Sequence, residues 1–122
     1  MNLEKFVPHE ITRGALQLLQ ADPLPTENQL AALRRLVDIA QSDTGQSRRC
    51  ADFLLAWWNA GSCGGFDLTD LWCVDISIAA DMVPIFGLVA RCREYPPAEF
   101  KDDFAALVRD WRPSLGGAKD NA

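Results

Sequence analysis

The sequence predicts an all-α protein, a single compact orthogonal bundle of five to six short helices. Three observations predict it. Apolar residues recur at helical spacing in every strongly patterned segment, and no segment shows the alternation of a half-buried strand. Proline and glycine clusters interrupt the pattern at intervals of about one helix. The 122 residues, 48% hydrophobic and 24% charged, suffice for one core and leave no room for two domains. A single domain is therefore expected over residues 1–113, with 114–122 as a small-residue polar tail.

The first helix opens at Pro8 and places Ile11, Ala15, Leu18 and Leu19 on one face, with Gly14 weakening it. Asp22-Pro23-Leu24-Pro25 stops it, because proline removes a donor and restrains the residue before it. Thr26 and Gln29 form a capping-box pattern for the second helix. Its stripe is Leu30, Leu33, Leu36, Val37 and Ala40, with Arg34, Arg35, Asp38 and Gln41 outward. After a turn at 42–45, the third helix runs from near Gln46 to about Ala60, with Gly61 as its left-handed stop. Cys50, Phe53, Leu54 and Trp57 share a face, while Leu55 and Trp58 add apolar surface elsewhere, which predicts a central helix.

Asp67 is the expected cap of a fourth helix over about 68–80, carrying Leu68, Leu71, Trp72, Val74, Ile76 and Ile78. Pro84 is unfavourable in a helix interior, so a separate helix is expected over 82–93, capped by Asp81. Tyr95-Pro96-Pro97 breaks the chain again. The last helix places Phe100, Phe104, Leu107, Val108 and Trp111 on one stripe and ends at Arg112-Pro113. The predicted core is Phe53, Leu54, Trp57, Leu71, Trp72, Phe104 and Trp111.

With 12 basic residues against 17 acidic ones, the net charge is −5, which argues against a general nucleic-acid binder. The longest stretch without Lys, Arg, Asp or Glu is 14 residues, Phe53 to Phe66, short of the roughly 20 a membrane span needs. The opening MNLEKFVPHE has no apolar core of a secretory signal, so a cytoplasmic location and reduced thiols are expected. Cys50, Cys63, Cys73 and Cys92 form no CxxC pair and the one histidine is His9, so no metal and no cofactor are expected. Cys50, Cys73 and Cys92 read as small packed hydrophobes.

Candidate chemistry is sparse. Cys63, in Gly61-Ser62-Cys63-Gly64-Gly65, is the one thiol placed in a glycine loop, but its only possible imidazole base is the distant His9. The same glycines lack the lysine of a phosphate loop and are followed by Asp67. No basic residue occurs from Ala51 to Ala90, and Asp52, Asp67, Asp70, Asp75 and Asp81 give that block a charge equal to the whole chain's. Asp75 has apolar helical neighbours, and pairing with Arg48 or Arg49 would satisfy it. Arg34, Arg35, Arg48 and Arg49 make a local basic group that reads either as partners for the chain's own acids or as a nucleic-acid contact. Trp57 and Trp58 point about 100° apart on a helix, so either both belong to the core or one is buried and the other is a surface anchor.

The strings Gly45-Gln46-Ser47, Phe53 to Ala60 (FLLAWWNA), Gly64 to Leu68 (GGFDL), Leu71-Trp72, Tyr95-Pro96 and Trp111-Arg112-Pro113 resemble a family of small uncharacterised proteobacterial proteins. That family is a domain of unknown function often met on plasmids, phages and integrated elements. The resemblance spans roughly Gly45 to Pro113 and implies a mobile-element setting without a catalytic assignment.

Together these readings predict a non-catalytic protein-binding module. Its expected form is an inhibitor of a host defence complex, anti-CRISPR-like, and its expected partner a host protein or nucleoprotein complex such as a CRISPR effector. The expected binding residues are Asp67, Asp70, Asp81, Trp58, Arg48 and Arg49. The alternative is a nucleic-acid accessory protein using Arg34, Arg35, Arg48 and Arg49.

Overall fold

A computed structural model describes residues 24–115. The predicted first helix, His9 and the tail beyond 115 lie outside the described residues. Within them the fold is all-α, without strands, as the periodicity predicts.

Helix α1 spans Glu27–Ala40. Its capping box is present: Gln29 N–H donates to Thr26 Oγ1 at 3.1 Å, and Thr26 N–H to Gln29 Oε1 at 2.9 Å. Leu33, Leu36, Val37 and Ala40 are fully buried. Helix α2 spans Gly45–Cys63 and opens at Thr44, whose Oγ1 accepts from Ser47 N–H at 3.0 Å. Its backbone leaves helical geometry at Asn59. The side chain of Asn59 then caps the resumed turn, accepting from Ser62 N–H at 3.1 Å. Gly61 is therefore not the stop; Gly64 is, at φ 93°, where a side chain would be strained.

The region after Gly64 departs most from expectation. No helix runs over 68–80. Asp67 does cap, accepting from Thr69 N–H at 2.9 Å, but it starts only a 3-10 turn, Leu68–Trp72. Leu68 and Trp72 have no core above them, and Trp72 is 83% exposed rather than buried. Cys73 is exposed too. Asp75 is exposed rather than a buried, arginine-paired carboxylate, and its N–H donates to Gln46 Oε1 at 2.8 Å.

Helix α3 then runs unbroken over Ile76–Cys92 with Pro84 inside it. The expected break at Asp81 is absent because that carboxylate is committed to Arg35, through two 2.9 Å hydrogen bonds. Proline in a helix interior costs about 3 kcal/mol. Met82, Ile85 and Leu88 flank it, and each is at most 1% exposed. At roughly 1.5–3 kcal/mol per buried side chain, tertiary packing outweighs the lost bond. The helix ends at Arg93 in the left-handed region, φ 56°.

A 3-10 turn, Ala98–Phe100, leads into helix α4, Lys101–Trp111. Phe100, Phe104, Leu107 and Val108 are buried as predicted. Trp111 is half-buried, and its indole donates to Ala40 O at 2.7 Å. The predicted central helix is not the hub. Helix α1 packs on α2, α3 and α4, while α2 rests mainly on α1 and α4. Helices α1 and α3 run antiparallel: Arg91 binds Leu24 O, and Arg35 binds Asp81.

Candidate functional site

The predicted site residues are not gathered into one patch; most are occupied locally. Asp81 holds Arg35, and their hydrogen bonds push the Arg35 guanidinium pKa further up. Asp70 lies 3.6 Å from Arg49, and Arg48 lies 3.8 Å from Asp52. Arg34 reaches Asp103 at 3.2 Å and covers the Phe100 ring at 4.5 Å. All four arginines of the basic cluster thus pair with the protein's own aspartates, the plainer of the two readings. Asp67 accepts from the Thr69 hydroxyl and N–H, which holds its carboxyl pKa below the usual value.

Cys63 is not an exposed loop thiol. It is the last residue of α2, buried, and burial pushes its pKa up against the opposing pull of Arg112. Burial pushes Cys50 up to about 12, with help from Asp81. Thiols held protonated are poor nucleophiles. Among the described residues, no group of three or more His, Cys, Asp and Glu is placed to hold a metal ion. No described helix is long and apolar enough to cross a membrane.

The remaining site residue, Trp58, lines a groove of about 460 Å³ between the end of α2, the linker before α4, and α4 itself. Local sequence builds it in three steps. First, adjacent tryptophans diverge. Trp57 packs edge-on against Phe104 at 6.4 Å and donates its indole N–H to Glu94 O at 2.9 Å, pinning the linker. Trp58, the other indole, is left for the groove. Second, Arg93 turns the chain in the left-handed region, and Tyr95-Pro96-Pro97 runs on from it as the opposite wall. Tyr95 is 71% exposed. Third, Phe100 of the 3-10 turn and the buried Phe104 and Val108 of α4 supply the apolar floor, while Lys101 and Arg109 stand exposed on the rim. A second cleft, of about 530 Å³, shares Trp58 and Tyr95 and extends to the bend at Asn59.

The groove's polar lining is Tyr95, Lys101 and Arg109, with no carboxylate, thiol or imidazole. Lys101 and Arg109 make no ion pair among the described residues. Such a lining suits an apolar side chain next to negative charge. Sequence reasoning found Trp58 and missed Tyr95, Pro96, Pro97, Lys101 and Arg109. The signal for the first three was a Tyr-Pro-Pro run, which reads as a chain break until the fold sets it opposite a tryptophan.

Residues 30–112 match the model of a protein family of unknown function, so the shared region begins well before Gly45 and takes in most of α1. No curated protein and no solved structure matches the chain.

Proposed function

The chain belongs to that family, DUF7673, and we propose that it is a non-catalytic protein-binding module acting through the Trp58 groove. The observation that carries the reading is an aromatic, proline-walled groove whose rim holds two cations without an ion pair among the described residues, in a chain of net charge −5. The fitting ligand is a peptide segment with one apolar anchor residue flanked by Asp or Glu. Trp58 and Tyr95 supply flat apolar contact, and Lys101 and Arg109 meet the flank. This shifts the binding surface from the acidic block to the groove, because Asp70 and Asp81 already sit in ion pairs.

The finer proposal is that the partner is a component of a host defence complex, as the mobile-element resemblance implies. Peptides carrying Leu or Phe between acidic residues should shift the Trp58 indole resonance and leave that of Trp111, held on a carbonyl, in place. Trp58→Ala should weaken binding by about 2 kcal/mol, the scale of an aromatic anchor. No Trp58 response to any acidic-flanked peptide would defeat the groove reading. Mixing the protein with purified CRISPR effector complexes and measuring DNA cleavage tests the finer one. Uninhibited complexes of every type would remove that partner and leave the groove.

A further inference from the structure

Helix α3 turns one face to the core, and no other described element covers the opposite face. Ile78, Met82, Ile85 and Leu88 are buried. Opposite them, Ile76, Ala80, Val83, Gly87 and Ala90 are all exposed. Their spacing alternates four and three residues, so they fall within about 40° of one line along the helix. Ile76 is 88% exposed and Val83 64%. The helix's two charged side chains, Asp81 and Arg91, are turned to Arg35 and Leu24 O, so this face carries no charge. The amide of Gln29 borders it at Gly87.

We propose that this face pairs with the same face of a second copy of the chain, as an antiparallel helix pair about a two-fold axis at Val83. Two features point to a copy as the occupant. The line is self-complementary in size when reversed about Val83: Ile76 meets the partner's Ala90, Ala80 meets the partner's Gly87, and Val83 meets the partner's Val83. Large meets small, and the small residues let the backbones approach. The ends are complementary in charge. Exposed Asp75 stands at the N-terminal end and exposed Arg93 at the C-terminal end, and neither makes an ion pair among the described residues. Reversal brings Asp75 of each chain to Arg93 of the other, the isologous pattern a two-fold pair requires. All of these residues lie within the matched region 30–112. The pairing does not depend on the Trp58 groove. One helix against one helix is a small interface, so self-association in the micromolar range is expected.

Sedimentation velocity of the full chain across a concentration series tests this. The mass should rise from 13.5 kDa toward twice that value. Val83→Glu, at an exposed position, puts two carboxylates face to face and should weaken the dimer about 100-fold with an unchanged far-UV spectrum. Asp75→Arg or Arg93→Asp alone should weaken it, and the two together should restore it. In a Cys73→Ser background, Val83→Cys should form an interchain disulfide on oxidation and Ser77→Cys should not. A monomer at every concentration would overturn the proposal, as would a dimer indifferent to Val83→Glu or a double charge swap no better than the singles. A monomer whose introduced thiol at 83 resists labelling would put another segment of the chain on this face, and would equally overturn it.

Discussion

Arg112 is the residue whose loss should most reveal how the bundle is closed. Its Nε–H donates to Cys63 O, the last carbonyl of α2, at 2.9 Å, and its Nη2 binds Asp52 Oδ1 at 2.7 Å. One side chain after the end of α4 thus holds both the middle and the end of α2. Arg112→Ala removes a short charge-assisted bond, worth about 1.5–3 kcal/mol, and a bond to a helix-end carbonyl, worth about 1 kcal/mol. The side chains of Arg112 and Asp52 are 24% and 18% exposed, so water screens the pair only in part. Arg48 lies 3.8 Å from Asp52 and recovers a fraction of the attraction. The expected loss is about 3 kcal/mol, read from urea unfolding followed by far-UV circular dichroism with an unchanged m value. For a domain of this size that is a fall in Tm of roughly 10–20 °C. A double-mutant cycle with Asp52→Asn should return a coupling of at least about 1 kcal/mol. A loss below about 0.5 kcal/mol, or additive single effects, would refute this account of the closure.

Other expectations follow from single observations. Pro84→Ala should raise stability by roughly 1–2 kcal/mol, because it returns a helix donor and gives back little in unfolded-chain entropy; a loss in urea unfolding would mean the proline relieves some packing constraint. Trp72→Ser, at a position 83% exposed, should change stability by less than about 0.5 kcal/mol. Cys73 should react with iodoacetamide first and Cys50 last, as exposure and the Cys50 pKa of about 12 require. The Cys50 thiol holds its proton more tightly folded than unfolded, so its ionisation leaves stability unchanged below about pH 9 and lowers it as pH rises from there toward about 12. A Cys50→Ala variant should show a shallower alkaline decline in a pH series of melts.

The parts of the fold that local chemistry determines were legible in the sequence. Thr26 with Gln29, and the stripe from Phe100 to Val108, each specify a helix through neighbours within a turn, and both are present. The stretch from Asp67 to Cys92 was misread because its outcome depends on distant residues. Arg35, 46 positions away from Asp81, removes the cap that a break there would need. Burial of Met82, Ile85 and Leu88 in the core, where α3 packs on α1, carries the helix past Pro84. Conversely, Leu68, Trp72 and Ile76 look like core by type, but no described element covers them. Of the candidate site, Trp58 was readable because adjacent tryptophans on a helix must diverge. The partner wall at 95–97 was not, because nothing local says which helix a Tyr-Pro-Pro run will face.

The ion pairs also decide where the protein's positive charge is available. Arg34, Arg35, Arg48, Arg49 and Arg112 are neutralised by Asp38, Asp52, Asp70, Asp81 and Asp103. Lys101 and Arg109 make no ion pair among the described residues, and they flank the groove. On an acidic chain, a negatively flanked ligand is repelled over most of the surface and attracted at this rim. That arrangement favours orientation and association rate more than final affinity. Lys101→Glu with Arg109→Glu should therefore lower the association rate of an acidic-flanked peptide at least about tenfold at low salt. The gap from wild type should close as ionic strength shortens the screening length. Stopped-flow fluorescence of Trp58 across a salt series reads both rates. An association rate insensitive to salt in the unmodified protein would show that the rim cations do not guide the ligand.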